Sequence, residues 1–283
     1  VISKGVERIG ARFGNCPRLK AIDVDAGNES FTSVDGVLYD KDMTTLIRCP
    51  NAAKKVDIPD GVKSIGKSAF CGCKSLSEVR IPDGVTEIQA AAFSSCTGLC
   101  SVVLPKNLTC ISRCMFSGCT SLKSITLPQS VRKIDWGAFI DCCSLQSVLV
   151  DAPEDVECAG EQTLRVEDDA FLRCGNLISV DLPGSDVQLF GKPFGGCTNL
   201  TELAFLPHMR HIWTGALKET GYYRAMSNGT PIVFHSRLMG FKEPSPAVLE
   251  IPSGVVEIAE AAFSGNKDLK SVVIPTSVTN IER

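Results

Sequence analysis

The chain has 283 residues, 44% hydrophobic and only 6% aromatic, which is enough apolar surface for a large aliphatic core and excludes intrinsic disorder. A formal charge of −3 lacks the basic excess that a phosphate backbone requires, and no apolar run approaches the ~18 residues of a membrane span, so neither nucleic acid nor a membrane-spanning segment is expected. The 14 cysteines are too sparse for a small stapled domain, and their spacing is more informative than their number.

Laid against itself, the chain repeats every 23 residues. Phe13, Cys16, Leu19, Ile22 and Val24 form a partial first copy. An insert over 25–57 follows, in which Ser33 to Tyr39 and Thr44 to Ile47 are β-rich runs around the polar turn Asp40-Lys41-Asp42, a hairpin pattern. Full copies start at Ile58-Pro59, Val62, Ile65, Ala69-Phe70, Cys73, Leu76 and Val79, and Ile81-Pro82 opens the next. Phe70, Phe93, Phe116 and Phe139 mark successive copies, Phe171 and Phe194 repeat the step, and Leu217 takes the next place. Nine extra, mainly acidic residues within 151–163 read as a loop bulging from one coil. Thr220, Tyr223 and Met226 fall in the Cys, Leu and Val slots of a degenerate copy, 228–250 reads as a second hairpin, and Ile251-Pro252 resumes the repeat, which stops after Ile281.

A unit of this length cannot bury its own apolar positions, so its copies must stack into one continuous core. The expected product is an α/β repeat solenoid of about ten coils, one domain over 1–283 cut at both ends. Leu-x-x-Val-x-Ile alternates as a short strand and Pro ends it, so stacked coils should pair as a parallel sheet. The Val-x-x-Ile-Gly-x-x-Ala-Phe-x-x-Cys half is too short for a full helix and reads as a second short strand with one helical or 3₁₀ turn.

These residues resemble the BspA-type (Treponema pallidum-type) leucine-rich repeats, and the likeness covers nearly the whole chain. The resemblance implies a right-handed curved solenoid with its parallel sheet on the concave face. It also implies a bacterial or protist surface protein that binds other proteins or host matrix, with no catalytic residues to carry over.

Several motifs compete with that structural account. Gly61 to Ser68 matches the phosphate-binding pattern G-x-x-x-x-G-K-[ST], but Val62, Ile65 and Phe70 are repeat positions committed to the core, so the match reads as accidental. Cys16, Cys73, Cys96, Cys119, Cys142, Cys174 and Cys197 share one slot, filled by Thr220 and Asn266 in the odd coils. That slot wants a small side chain able to hydrogen-bond backbone, and the thiols are expected to be free. Cys96 and Cys100, and likewise Cys110 and Cys114, have tolerable zinc spacing, but Cys96 points inward while Cys100 and Cys110 belong to opposite sides of the coil. His208 and His211 read as a surface turn. No cofactor or metal is expected.

Strand residues that leave the core form a small, mildly apolar stripe suited to an extended protein partner. Its candidate binding residues are Arg80, Val103, Thr126, Leu149 and Asp181, joined by Tyr39 on the first hairpin. Trp136 and Trp213 sit in slots otherwise polar or small, so both are expected to be partly exposed and able to anchor a partner. The leading expectation is a noncatalytic, adhesin-like, cell-surface or secreted module that binds a host, matrix or other surface protein. The alternative is an enzyme or carbohydrate-binding site at the degenerate region 206–250.

Overall fold

The computed structural model describes residues 1–10, 16–151, 162–184, 186–206, 209–212, 215–244, 246–260 and 262–282. It is a parallel-strand β-solenoid of about nine turns, with helix nearly absent. Each Leu-x-x-Val-x-Ile-Pro run lays one short strand on this side, paired in parallel as Glu78–Arg80 with Ser101–Val103, and as the four-stranded sheet Ser124–Pro128, Ser147–Asp151, Ser179–Val180 and Glu202–Leu203. Val248–Glu250 and Ser271–Val273 make the same pairing beyond the second hairpin. The alternation fixes which side is wet: Val79, Val102, Ile125 and Val148 are buried while their neighbours on either side mostly face outward.

The second half of each repeat supplies parallel strands on the other side: Ser64–Ile65 and Glu87–Ile88 pair with each other, and Cys110–Ile111, Lys133–Ile134, Thr163–Val166, Asp186–Leu189 and Met209–Ile212 form a five-stranded sheet. The expected helical turn is replaced by bends that are hydrogen-bonded both locally and between coils. Cys73 N–H donates to Phe70 O at 3.0 Å, while Phe70 N–H donates forward to Ala92 O at 2.7 Å and Phe93 N–H to Met115 O at 2.9 Å. Two left-handed residues per coil prevent a helix here. Ser68, Ala91, Cys114, Gly137 and Asp169 hold one such slot, and Gly72, Ser95, Gly118, Asp141, Arg173 and Gly196 hold the other.

Between the sheets runs a core continuous from Val37 to Leu217. Its spine is the stacked series Phe70, Phe93, Phe116, Phe139, Phe171 and Phe194, with ring centroids 4.7 to 5.5 Å apart. Offset contacts of this kind add roughly 0.5–1.5 kcal/mol per pair beyond the area they bury. The ring that continues the series is Phe205, 6.0 Å from Phe194. Phe205 occupies the slot that is Leu or Ile elsewhere and Leu217 occupies the Phe slot, so one coil exchanges the two sizes while both side chains stay buried.

Inserts interrupt the stack in two places. Phe31–Val34, Val37–Asp40 and Thr45–Arg48 form an antiparallel meander whose last strand pairs in parallel with Ser64–Ile65. Pro231–Phe234 and Arg237–Phe241 form the second hairpin, which leads into Glu257–Ile258 and a smaller core around Leu238, Leu249 and Val255. The degenerate copy forms the one α-helix among the described residues, Gly221–Ala225, started by buried Thr220, whose hydroxyl accepts from Tyr223 N–H at 3.2 Å. That hydroxyl also donates to Leu217 O at 2.7 Å.

Candidate binding surface

Because the Leu-x-x-Val-x-Ile-Pro strands lie in register, their outward residues form two columns. In the first, Glu78 pairs with Ser101, and Ser124, Ser147, Ser179 and Glu202 follow one another. The second runs Arg80, Val103, Thr126, Leu149 and Asp181, where Arg80 pairs with Val103 and Thr126 with Leu149. Asp181 N–H donates to Val148 O at 2.9 Å and Ala204 N–H to Val180 O at 3.1 Å, which keeps both residues in this column. The Ser101–Val103 and Ser124–Pro128 strands are neighbours, and Ser101, Val103, Ser124 and Thr126 line one shallow hollow.

The five stripe residues expected from sequence therefore share one solvent-facing column. Val103 is 51% and Leu149 46% exposed, and they stand in the same column on either side of Thr126. Three further residues extend the face. Lys55 and Asp57 share a hollow with Arg80, Ser101 and Val103, and Val248, 52% exposed, lies on the same strand type beyond the second hairpin. For Lys55 and Asp57 the available signal was the period itself, since they stand 23 residues before Glu78 and Arg80.

Tyr39 does not belong to this surface. It is 1% exposed, in the main core with Val37 and Leu46, while Leu38 between them packs into a separate cluster with Ile22 and Phe31. The meander strand is thus covered on both faces, and a pattern of β-rich residues around a turn does not reveal the second cover. Burial pushes the Tyr39 hydroxyl up to about 12, helped by Cys49 and Asp35 nearby. Trp136 is half-buried, but it follows the strand Lys133–Ile134 of the other sheet and lies beneath the Arg113 guanidinium, 4.6 Å from its ring centre. Trp213, His208, Cys158 and the insert residues 152–161 lie outside the described residues.

The period, the two parallel sheets and the buried Phe and Cys slots find their counterpart in known proteins. Residues 47–162, 159–227 and 240–283 match the BspA type leucine rich repeat region, in 6 copies. The chain belongs to the BspA-type leucine-rich-repeat family. It is similar to a leucine-rich repeat protein from Eubacterium ventriosum, at 25% identity and a TM-score of 0.67, over 77% of this chain and 57% of that one. It is also similar to a leucine-rich repeat protein of T. pallidum, at 38% identity and a TM-score of 0.43, over 50% of this chain and 62% of that one. This chain spans less than two thirds of either structure. No curated protein matches it.

Within these BspA-type repeats the cysteine slot has a defined task. Cys96, Cys119, Cys142, Cys174 and Cys197 each donate to the carbonyl of the Phe one coil back, at 3.0 to 3.2 Å. Burial pushes the Cys96 and Cys119 thiols up, and Cys197 is pushed up by its hydrogen bond with Cys174 and then by burial. All 13 cysteines among the described residues are free thiols. Cys16 is exposed despite its place in the series. No grouping of His, Cys, Asp and Glu among the described residues could hold a metal ion. The phosphate-loop lookalike is ordinary repeat: Ser64–Ile65 is a strand and Lys67 N–H donates to Gln89 Oε1 at 3.0 Å, with no helix following.

At the degenerate copy, Leu217, Tyr222, Tyr223, Met226, Met239 and Phe241, together with Lys218, Glu243 and Asn266, line a cavity of about 30 Å³. That is room for about two water molecules, too little for a sugar ring. His235 at the tip of the second hairpin has its Nδ1 2.8 Å from Met209 O, and His211, expected with His208 in a surface turn, instead lies in the strand Met209–Ile212. Among the described residues no helix is long and apolar enough to cross a membrane.

Proposed function

We propose that this chain is a noncatalytic recognition module of a cell-surface or secreted protein, which binds a protein partner across the outward columns of its Leu-x-x-Val-x-Ile-Pro sheet. The observation that carries this reading is the in-register column from Arg80 to Asp181, with Val103 and Leu149 exposed between the two charges. A regular sheet offers side chains at fixed intervals of about 4.8 Å, a template that an extended segment or another sheet can match at many points. Serines beside that column keep the face low, so a partner can approach the backbone closely.

The test is capture on immobilised host-matrix proteins and glycans, comparing the native chain with a Val103→Glu/Leu149→Glu variant. Both substitutions are on exposed positions, so the fold should persist by circular dichroism. Binding to a protein that the variant loses supports the reading. Binding that survives both substitutions places the site elsewhere, and retention by glycans alone, lost on removal of 228–250, favours a carbohydrate site instead.

A further inference from the structure

A cysteine outside the repeat slot touches the first buried cysteine inside it. Cys49 N–H donates to Ala69 O at 2.8 Å, as Phe70 N–H does to Ala92 O at 2.7 Å, so Cys49 stands at the head of the phenylalanine series, buried in the main core. Its Sγ lies 3.5 Å from Pro50 O, the same oxygen that Cys73 Sγ approaches at 3.6 Å. The two sulfurs are also in hydrogen-bond contact with each other. Neither is anchored as tightly as the rest of the series. Cys96, Cys119, Cys142, Cys174 and Cys197 reach a carbonyl at 3.0 to 3.2 Å, whereas Cys73 finds Pro50 O at 3.6 Å and Cys49 O at 3.9 Å. A thiol held at such distances can turn toward another sulfur at little cost.

We propose that Cys49 and Cys73 are a disulfide site, closed by exchange with the disulfide of a small thiol, and that the bond staples the N-terminal meander to the first full coil. This goes beyond the recognition reading and does not depend on it. Both residues are free thiols in the structure. The hydrogen bond from Cys49 holds the Cys73 thiol below its ordinary value against the effect of burial, and the Arg48 guanidinium adds to it, while contact with Cys73 and burial push Cys49 up. Cys73 is therefore the thiolate of the pair. It attacks one sulfur of the small disulfide, whose S–S bond breaks and releases a first small thiolate. Cys49 gives its proton to that thiolate and attacks Cys73 Sγ, and the mixed S–S bond breaks as the second small thiolate leaves. Two protein thiols are oxidised and one disulfide is reduced to two thiols. Both sulfurs are shielded from solvent, so exchange waits for this end of the stack to open, and the finished bond then opposes that opening.

The test equilibrates the 283-residue chain with reduced and oxidised glutathione over a graded series of ratios, quenches by alkylation and maps the thiols by mass spectrometry. A peptide cross-linked through Cys49 and Cys73 should appear under conditions too reducing for exposed Cys16, Cys100 and Cys143 to hold glutathione, because the second thiol is already in place. Under those conditions the oxidised chain should melt roughly 5–10 °C above the reduced one, as a bond closing a loop of this length predicts. Cys49→Ala should lose both the peptide and the shift, whereas Cys96→Ala, which keeps the pair, should retain both. The map of the native chain decides the question even where Cys49→Ala folds poorly. Two free thiols or two separate glutathiones at Cys49 and Cys73 at the most oxidising ratio, a link from either one to Cys71 or Cys96 instead, or an equal melting shift in Cys49→Ala each overturns the proposal.

Discussion

The thiol of Cys142 donates to the carbonyl oxygen of Phe116, 3.1 Å away and one coil back. That oxygen also accepts the N–H of Cys119 at 3.0 Å, so the buried carbonyl is held by its own coil and by the next. The same pair recurs for Cys96, Cys119, Cys174 and Cys197, and Thr220 in this slot donates instead to Leu217 O of its own coil, so the slot takes a small donor in a volume closed by the phenylalanine series.

Two consequences can be measured at this slot. Cys142→Ala removes the donor and leaves a small void, and should destabilise the fold by about 1–2 kcal/mol in denaturant unfolding. In native protein near pH 8, a thiol reagent should modify exposed Cys100, Cys143 and Cys16 quickly and leave Cys96, Cys119, Cys174 and Cys197 unmodified until denaturant exposes them. Rapid modification of all thiols in the folded chain contradicts the buried ladder.

The phenylalanine series ties neighbouring coils together, and Phe116 sits in its middle, 5.5 Å from both Phe93 and Phe139. Phe116→Ala should cost about 3–5 kcal/mol, because rigid stacked coils cannot collapse into the space. A chain whose coils contact only their neighbours can also lose cooperativity at such a gap. Unfolding followed by circular dichroism and by tryptophan fluorescence should coincide in the native chain and separate in Phe116→Ala. Coincident transitions with a loss below 1 kcal/mol would show that the rings are not the spine.

How much of this was legible in the sequence follows from what repeats. The inward slots of Phe70, Cys73, Val79 and Ile65 recur every 23 residues because each copy meets the same neighbours, so the core, both sheets and the outward columns can be read from one copy. Features that depend on a single coil were hidden. Tyr39 carries a pattern like any exposed hairpin residue, yet it faces the main core while the N-terminal segment covers Leu38 on the other side of the strand. Phe205 and Leu217 exchange sizes, which only three-dimensional neighbourhood reveals. The bends looked like helical turns because residues such as Ser95 and Asp141 give no sign of their left-handed backbone, whereas Gly72 and Gly118 do.

A pH response is expected at the first hairpin. Burial works against a charged Asp40 carboxylate, but it accepts from the Thr44 hydroxyl at 2.6 Å and from the N–H groups of Thr44 and Thr45 at 2.7 and 2.8 Å, and these bonds hold Asp40 below the ordinary carboxylate range. A group whose folded value is lowered stabilises the fold fully above its unfolded value and loses that contribution as pH falls through the folded one. The stability difference between the native chain and Asp40→Asn should therefore be largest near neutrality and vanish in acid below that lowered value. A difference independent of pH would show that Asp40 is held by its shape alone.

The left-handed slot at Ser95 gives the sharpest contrast. Its φ is 60°, while Gly72, Gly118 and Gly196 fill the same slot in other coils with φ of 73° to 76°. A residue with a Cβ costs roughly 1–2 kcal/mol in this conformation, and glycine removes that strain while adding roughly 0.5–1 kcal/mol of freedom to the unfolded chain. Ser95→Gly should consequently stabilise the protein by about 0.5 kcal/mol. The control is Ser94→Gly, one residue earlier and outside the left-handed positions, where only the unfolded-state effect remains and stability should fall by about 0.5–1 kcal/mol. Gly118→Ala should do the converse of Ser95→Gly: the added methyl has ordinary van der Waals room, 3.6 Å from Ser95, so any loss reports the φ of 74° and not a clash. Equal effects of Ser95→Gly and Ser94→Gly in urea unfolding would mean that the bend relaxes freely, and the two left-handed slots would then have no part in keeping this side of the coil from becoming a helix.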